Sequence, residues 1–192
     1  MQINSICKKK NNSFRAFFWL FLDEDRIHDY KDFLKNIPSS KSVGVIIRTK
    51  NKKNLYKKCK MISKLCKQKG FKFFVSANSL IALSVGADGV HFPKQNRFNR
   101  TYKKLSYSCS FHSLLDLRRV SDLGVNNVFI SPIFKTTSSN LKKPLGLIRT
   151  FMLYRALKCD LGVLGGVSKK NIRKFRNRGV SNIGAVNLFS DN

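Results

Sequence analysis

The densest run of chemically useful side chains is Ser131-Pro132-Ile133-Phe134-Lys135-Thr136-Thr137-Ser138-Ser139, which follows apolar Val128-Phe129-Ile130 and closes at Pro144-Leu145-Gly146. A proline cannot donate to a strand ladder, so this reads as a buried strand opening into a polar loop. Four successive hydroxyls, with Lys142 and Lys143 soon after, offer neutral donors and positive charge to an anion such as a phosphate. The same cluster also fits a plain solvated turn. Three other sets stand out. Arg48 and Lys50 place two cations directly after a β-branched run. Ser110-Phe111-His112-Ser113 combines hydroxyls with an imidazole, the side chain best suited to moving protons near neutral pH. Gly165-Gly166, just before a helix start at Ser168, presents bare backbone N–H groups to an anion. His112 equally suits a histidine that satisfies backbone groups at a strand end. His91 reads as structural and His28 as a surface residue.

The overall charge points the same way. Lys and Arg number 38 against 10 Asp and Glu, a net charge of +28, which favours phosphorylated metabolites, nucleic acid or an acidic membrane surface. Glu24 is the one glutamate, so chemistry built on paired carboxylates has few candidates. Five cysteines (Cys7, Cys59, Cys66, Cys109, Cys159) are odd in number and lack zinc-site spacing, as expected of reduced thiols in a cytoplasm. Lys8-Lys9-Lys10 and the apolar run 16–22 imitate a secretory signal, but the run is short and ends in Asp23-Glu24-Asp25. It reads as a first strand. No stretch approaches the ~20 apolar residues of a membrane span.

These groups need a frame, and 192 residues suit one domain, here 14–192 behind a basic lead-in over 1–13. Strands are expected over 17–22, 43–47, 71–75, 89–92, 105–109, from Val128, over 161–164 and over 183–186. Helices are expected over 27–37, 54–69, 79–85, 114–123, 151–157 and 168–178, the last capped by Ser168. Lysines on the outer face of 54–69 read as solvated rather than as a binding stripe. One short motif recurs: Gly86-Ala87-Asp88-Gly89-Val90, Gly124-Val125-Asn126-Asn127-Val128 and Gly179-Val180-Ser181-Asn182-Ile183. Each has glycine where a helix ends and a strand begins. Repeated βα joints imply a parallel sheet, and eight strands are the inventory of a short α/β (β/α)8 TIM barrel with trimmed fourth and eighth helices. An open doubly wound sheet uses the same units. In a barrel, chemistry belongs at the strands' C-terminal ends, where Asp23, Arg48, Lys50, Ser110, His112, Thr136, Ser138, Gly165, Gly166, Val186 and Asn187 all fall.

Gly86-Ala87-Asp88-Gly89-Val90-His91, Ser110-Phe111-His112-Ser113, Ser131-Pro132-Ile133-Phe134 with Thr136 and Ser138, Leu145-Gly146 and Leu164-Gly165-Gly166-Val167 occur in that order. As an ordered set, from about 43 to the C-terminus, they resemble the thiamine phosphate synthase family, including its TenI-type thiazole tautomerases. The resemblance implies a TIM barrel in which a pyrimidine carbocation, formed by loss of pyrophosphate, is captured by the nitrogen of a thiazole phosphate. It implies that Arg48 and Lys50 hold the pyrophosphate, that Ser110 lies near the reacting centre, and that Thr136 and Ser138 are loop hydroxyls of the site. Gly165, Gly166, Val186 and Asn187 fall on the thiazole phosphate pocket, and His112 matches the proton-transfer histidine of the tautomerases.

The departures from that pattern concern the metal. The family's Mg2+ carboxylates fall at Ala77 and Asn96, a glutamine position holds Ile46, and a loop lysine is Ser139, with Lys135, Lys142 and Lys143 nearby. Mg2+ favours oxygen ligands of the missing kind. Three readings follow: a synthase, a metal-independent tautomerase, and a non-catalytic phosphate-binding barrel with a nucleic-acid or regulatory role. Basic residues here are not interleaved with aromatics as in single-strand binders, so nucleic acid is the weakest expectation. A homo-oligomer is left open.

Overall fold

The recurring joints do what their glycines suggest. Gly86, Gly124 and Gly179 have φ of 62°, 54° and 69°, a left-handed conformation that a Cβ disfavours. In each joint the third residue also ties its strand to the one before. The Asp88 carboxylate accepts from the Phe73 N–H at 2.8 Å, Asn126 Oδ1 from the Tyr107 N–H at 3.0 Å, and the Ser181 hydroxyl donates to the Leu161 carbonyl at 3.2 Å. A repeated side chain thus sets the register of neighbouring strands.

The computed structural model describes residues 16–23, 27, 29–49, 54–94, 101–136, 143–185 and 188–189. The strands are β1 Phe17–Asp23, β2 Val43–Arg48, β3 Lys72–Ser76, β4 Gly89–Phe92, β5 Ser106–Phe111, β6 Asn127–Ile130, β7 Asp160–Leu164 and β8 Val180–Ala185. Each pairs in parallel with the next, and β8 pairs with β1, which closes the barrel. The helices are α1 Tyr30–Asn36, α2 Leu55–Lys69, α3 Ser79–Ser84, α4 Leu117–Leu123 and α5 Gly146–Tyr154. Among the described residues none between β4 and β5, and none after β8, is helical.

The inside of the barrel is packed with rings set against glycines. Trp19, Phe21, Ile46, Phe74 and Phe129 form one buried cluster, and a Cβ at Gly162 or Gly184 would lie 2.7 Å from the Phe129 ring or 2.6 Å from the Phe21 ring. Large side chains on some strands therefore require none on their neighbours. The Trp19 indole N–H, buried in this core, donates to Asn182 Oδ1 at 2.8 Å. Outside the strands, Val45, Ile47, Val75, Val128 and Val163 pack with helix residues Leu34, Cys59, Ile62, Ala82 and Val120 in a second core. On α2, Cys59, Ile62 and Cys66 are buried while Lys57, Lys60, Lys64 and Lys67 are exposed, which is the solvated face expected.

Three expectations need correction. β5 runs on to Phe111, so Ser110 is a strand residue and not part of the loop. The helix after β6 starts at Gly146 and stops at Tyr154, earlier than the apolar spacing suggested. After β7 there is no α-helix over 168–178, only a 3-10 turn at Ile172–Phe175. Ser168 does not cap it. Instead the Ser168 N–H donates to Asn171 Oδ1 at 2.9 Å. The basic run 169–178 has too few apolar side chains at helical spacing to hold a longer helix against the barrel.

Candidate functional site

The C-terminal rim receives the candidates from four strands. Arg48 ends β2 and is exposed, its guanidinium 5.8 Å from the centroid of the Phe21 ring. Ser110 sits near the top of β5, His112 directly after it, Thr136 in the segment after β6, and Gly165-Gly166 after β7. These five positions share one rim, as a barrel requires. Lys50, Asn96, Ser138, Val186 and Asn187 lie outside the described residues.

Ser110 points inward. Its hydroxyl is 3.1 Å from Nε2 of His91 on β4, and the other ring nitrogen, Nδ1, is 3.0 Å from the Ser108 hydroxyl. His91 is fully buried between Phe21 and Phe129. Burial first, then the Arg48 and Arg119 guanidinium charges, push its imidazole down to about 3. The ring is therefore neutral and fixes a serine–histidine–serine chain from the barrel interior to the rim. His91 is structural, as its place before a strand end suggests, yet it also holds the Ser110 hydroxyl.

His112 is held from two sides. Its Nδ1 donates to the Ser131 carbonyl at 2.6 Å, and its backbone N–H donates to the Asp116 carboxylate at 2.9 Å. A carbonyl only accepts, so Nδ1 carries the proton and Nε2 is the basic nitrogen. The Ser113 N–H reaches the same Asp116 oxygen at 3.3 Å in a capping box. Arg119 on α4 donates to the Ser110 carbonyl and lies 3.7 Å from Asp116. Sequence reasoning missed both Asp116 and Arg119; the Ser113-x-x-Asp116 spacing is a signal that could have found the first. Leu114 and Leu115, at the start of the helix expected over 114–123, are exposed because that segment is a 3-10 turn and the helix begins only at Leu117.

The glycine pair is built into the neighbouring loop. Gly165 and Gly166 have φ of 94° and 68°, and a Cβ on Gly165 would lie 2.9 Å from Pro132, one on Gly166 against Phe134 and the Lys135 carbonyl. The Ile133 N–H donates to the Leu164 carbonyl at 3.1 Å and the Phe134 N–H to Gly165 at 3.0 Å. Farther along, Leu145 and Gly146 N–H groups donate back to Pro132 and Ile133 at 2.9 and 3.0 Å. The Ser131-Pro132 bond is cis. Only glycines allow this approach of two backbones, and the segment 132–135 and the glycine pair consequently pack as one unit.

The described rim does not fit a magnesium ion of the synthase kind. Ala77 brings no side-chain ligand atom, and the Asn78 Oδ1 is taken by the Ile81 N–H at 2.9 Å as the cap of α3. Among the described residues no three His, Cys, Asp or Glu side chains are grouped to hold a metal. No helix among them is long and apolar enough to cross a membrane. Cys59, Cys66, Cys109 and Cys159 are free thiols, the first three pushed up to about 12, chiefly by burial.

Comparison with known proteins finds relatives of the whole barrel. The thiamine-phosphate synthase of Prochlorococcus marinus subsp. pastoris is 30% identical over 141 residues, 71% of this chain and 40% of that protein. The thiamine-phosphate synthase of Persephonella marina is 23% identical over 181 residues, covering 88% of this chain and 87% of that protein. The chain spans about 40% of the length of the Prochlorococcus relatives it matches. Among solved structures, the thiamine phosphate pyrophosphorylase of Pyrococcus furiosus superposes with a TM-score of 0.72 at 20% identity, over 88% of this chain and 84% of that one. Citrate synthase SbnG shares the fold alone, with a TM-score of 0.61 at 12% identity. The family model described as thiamine monophosphate synthase matches residues 21–189, and the chain belongs to that family.

Proposed function

We propose that the C-terminal rim joins a hydroxymethylpyrimidine pyrophosphate to a thiazole phosphate, the reaction of a thiamine phosphate synthase. The observation that carries this reading is the convergence of Arg48, Ser110, His112, Thr136 and Gly165-Gly166 on one rim of the closed barrel. In the proposed reaction the bond from the pyrimidine methylene to the pyrophosphate oxygen breaks, the electron pair leaves with the pyrophosphate, and the thiazole nitrogen lone pair forms the new bond. No proton need move. Arg48 and Lys50 face the negative charge that develops on the leaving group, which is where fixed cations lower a barrier most. Gly165, Gly166, Val186 and Asn187 hold the thiazole phosphate, with Thr136 and Ser138 as hydroxyl donors and Ser110 beside the reacting carbon. Free thiols suit a cytoplasmic setting.

The test is condensation of the two substrates by purified protein across a magnesium series, read as thiamine phosphate and released pyrophosphate. Product, reduced at least tenfold in Arg48→Ala, is expected; no product at any magnesium concentration removes the synthase reading. Ala77 at the metal position favours a second one, a metal-independent thiazole tautomerase using His112 Nε2 as the proton carrier. Isomerisation of a thiazole carboxylate phosphate that survives His112→Ala unchanged removes that one.

A further inference from the structure

A buried guanidinium stands behind the two groups most suited to proton handling. Arg119 is on α4, outside the strands, with its side chain only 12% exposed, and its partner Asp116 10%. Burying a charge is costly unless it is matched, and an apolar residue would pack this helix at least as well. Its contacts explain its presence. One terminal nitrogen donates to the carbonyl of Ser110. The other lies 3.5 Å from the carbonyl of Pro93, directly after β4. The same guanidinium faces Asp116, whose second oxygen receives the N–H groups of His112 and Ser113. Three segments are thus gathered on one planar cation: the end of β4 that carries His91, the top of β5 that carries Ser110, and the turn that carries His112. A planar fork with several fixed donors holds all three at once, whereas the single nitrogen of a lysine can serve only some of them.

We infer that Arg119 is a positioning residue, clamping the ends of β4 and β5 and, through Asp116, holding His112 with its Nδ1 proton on the Ser131 carbonyl. Arg119 touches no reacting atom in this arrangement. It acts through the backbone of Ser110 and the carboxylate of Asp116. Without it the β5 carbonyl loses its donor, Asp116 is left as an unmatched buried carboxylate, and the His112 turn is free to rotate its ring off Ser131. The inference gives the rim a control point on the outer helix layer, away from the substrate-facing groups. Its application to catalysis rests on the function proposed above; the clamp itself does not.

The test uses the full chain and needs no substrate. Long-range 1H–15N correlation spectra of the histidine rings should show His112 in the wild type as one Nδ1–H tautomer with a slowly exchanging proton. In Arg119→Met and in Asp116→Asn that proton is expected to exchange at least about tenfold faster, the loss typical of one hydrogen bond, and the second tautomer to appear. Amide protection of β1, β2 and β7 should stay as in the wild type, and Arg119→Lys should restore part of the slow exchange. An unchanged His112 ring signal in both variants overturns the inference. So does loss of protection throughout the barrel in both, because that makes the pair a general support and not a clamp. In turnover, Arg119→Met is expected to lower kcat with KM little changed, and a change confined to KM counts against positioning. A wild type that shows the His112 signature but no turnover sinks the proposed reaction and leaves the clamp standing.

Discussion

His91 shows how one residue can be both a core component and a constraint on the site. Its ring is buried among aromatics and neutral, and it spans from Ser108 to Ser110. That neutrality links stability to pH. An unfolded histidine takes up its proton near 6.5, whereas the folded ring resists down to about 3. Between those values the unfolded state binds the extra proton, so the stabilisation is complete above 6.5 and is lost as pH falls toward 3. The slope is about 1.4 kcal/mol per pH unit for one proton. His91→Asn removes the titrating group. Urea melts of both proteins between pH 7 and 5 should therefore show the wild type losing stability faster than the variant as the solution is acidified. Parallel curves would mean that His91 takes up its proton at the same pH folded and unfolded.

At the scale of elements, the glycine pair after β7 and the loop after β6 behave as one unit, zipped by backbone hydrogen bonds from Ile133 and Phe134. Gly166→Ala must accommodate a Cβ at φ 68° with the Phe134 carbonyl carbon 2.8 Å away. Strain of this type costs about 1–3 kcal/mol, and the loop must move as well. Gly70→Ala is the natural control, since Gly70 has φ of 71° but nothing within 4 Å of its Cβ position. Both variants should lower the urea midpoint, but only Gly166→Ala should weaken binding of inorganic phosphate, measured by calorimetry. Equal binding in the two would separate the glycine pair from any anion site. The pair was visible in the sequence because its neighbours, the repeated joints and the Ser-x-His-Ser run gave it a place in a barrel. Strand order and rim followed from the same local signals. What remained hidden depends on contacts between elements. Nothing local marks Arg119 as reaching two strand ends or Ser110 as facing His91, because each is decided by packing against chain distant in sequence.

For the molecule as a whole, the excess of cations is a force on the fold before it is a statement about partners. With 38 Lys and Arg against 10 Asp and Glu, positive charge far outnumbers negative. On α2 the exposed Lys57, Lys60, Lys64 and Lys67 follow one another at three- and four-residue spacing, the separation at which like charges repel along a helix. Raising sodium chloride from about 20 to about 300 mM shortens the Debye length from about 20 to about 6 Å and should screen this repulsion. The thermal midpoint is therefore expected to rise with chloride, by a few degrees for each kcal/mol recovered. The same screening should slow capture of pyrophosphate at the rim, since a long-range cationic field steers anions at low salt. Stability and ligand on-rate thus move in opposite directions with ionic strength, which stopped-flow and melting experiments on one sample can follow together. A midpoint that falls with chloride would show that attractive pairs outweigh repulsion in the folded barrel, and that the surplus lysines are organised rather than simply solvated.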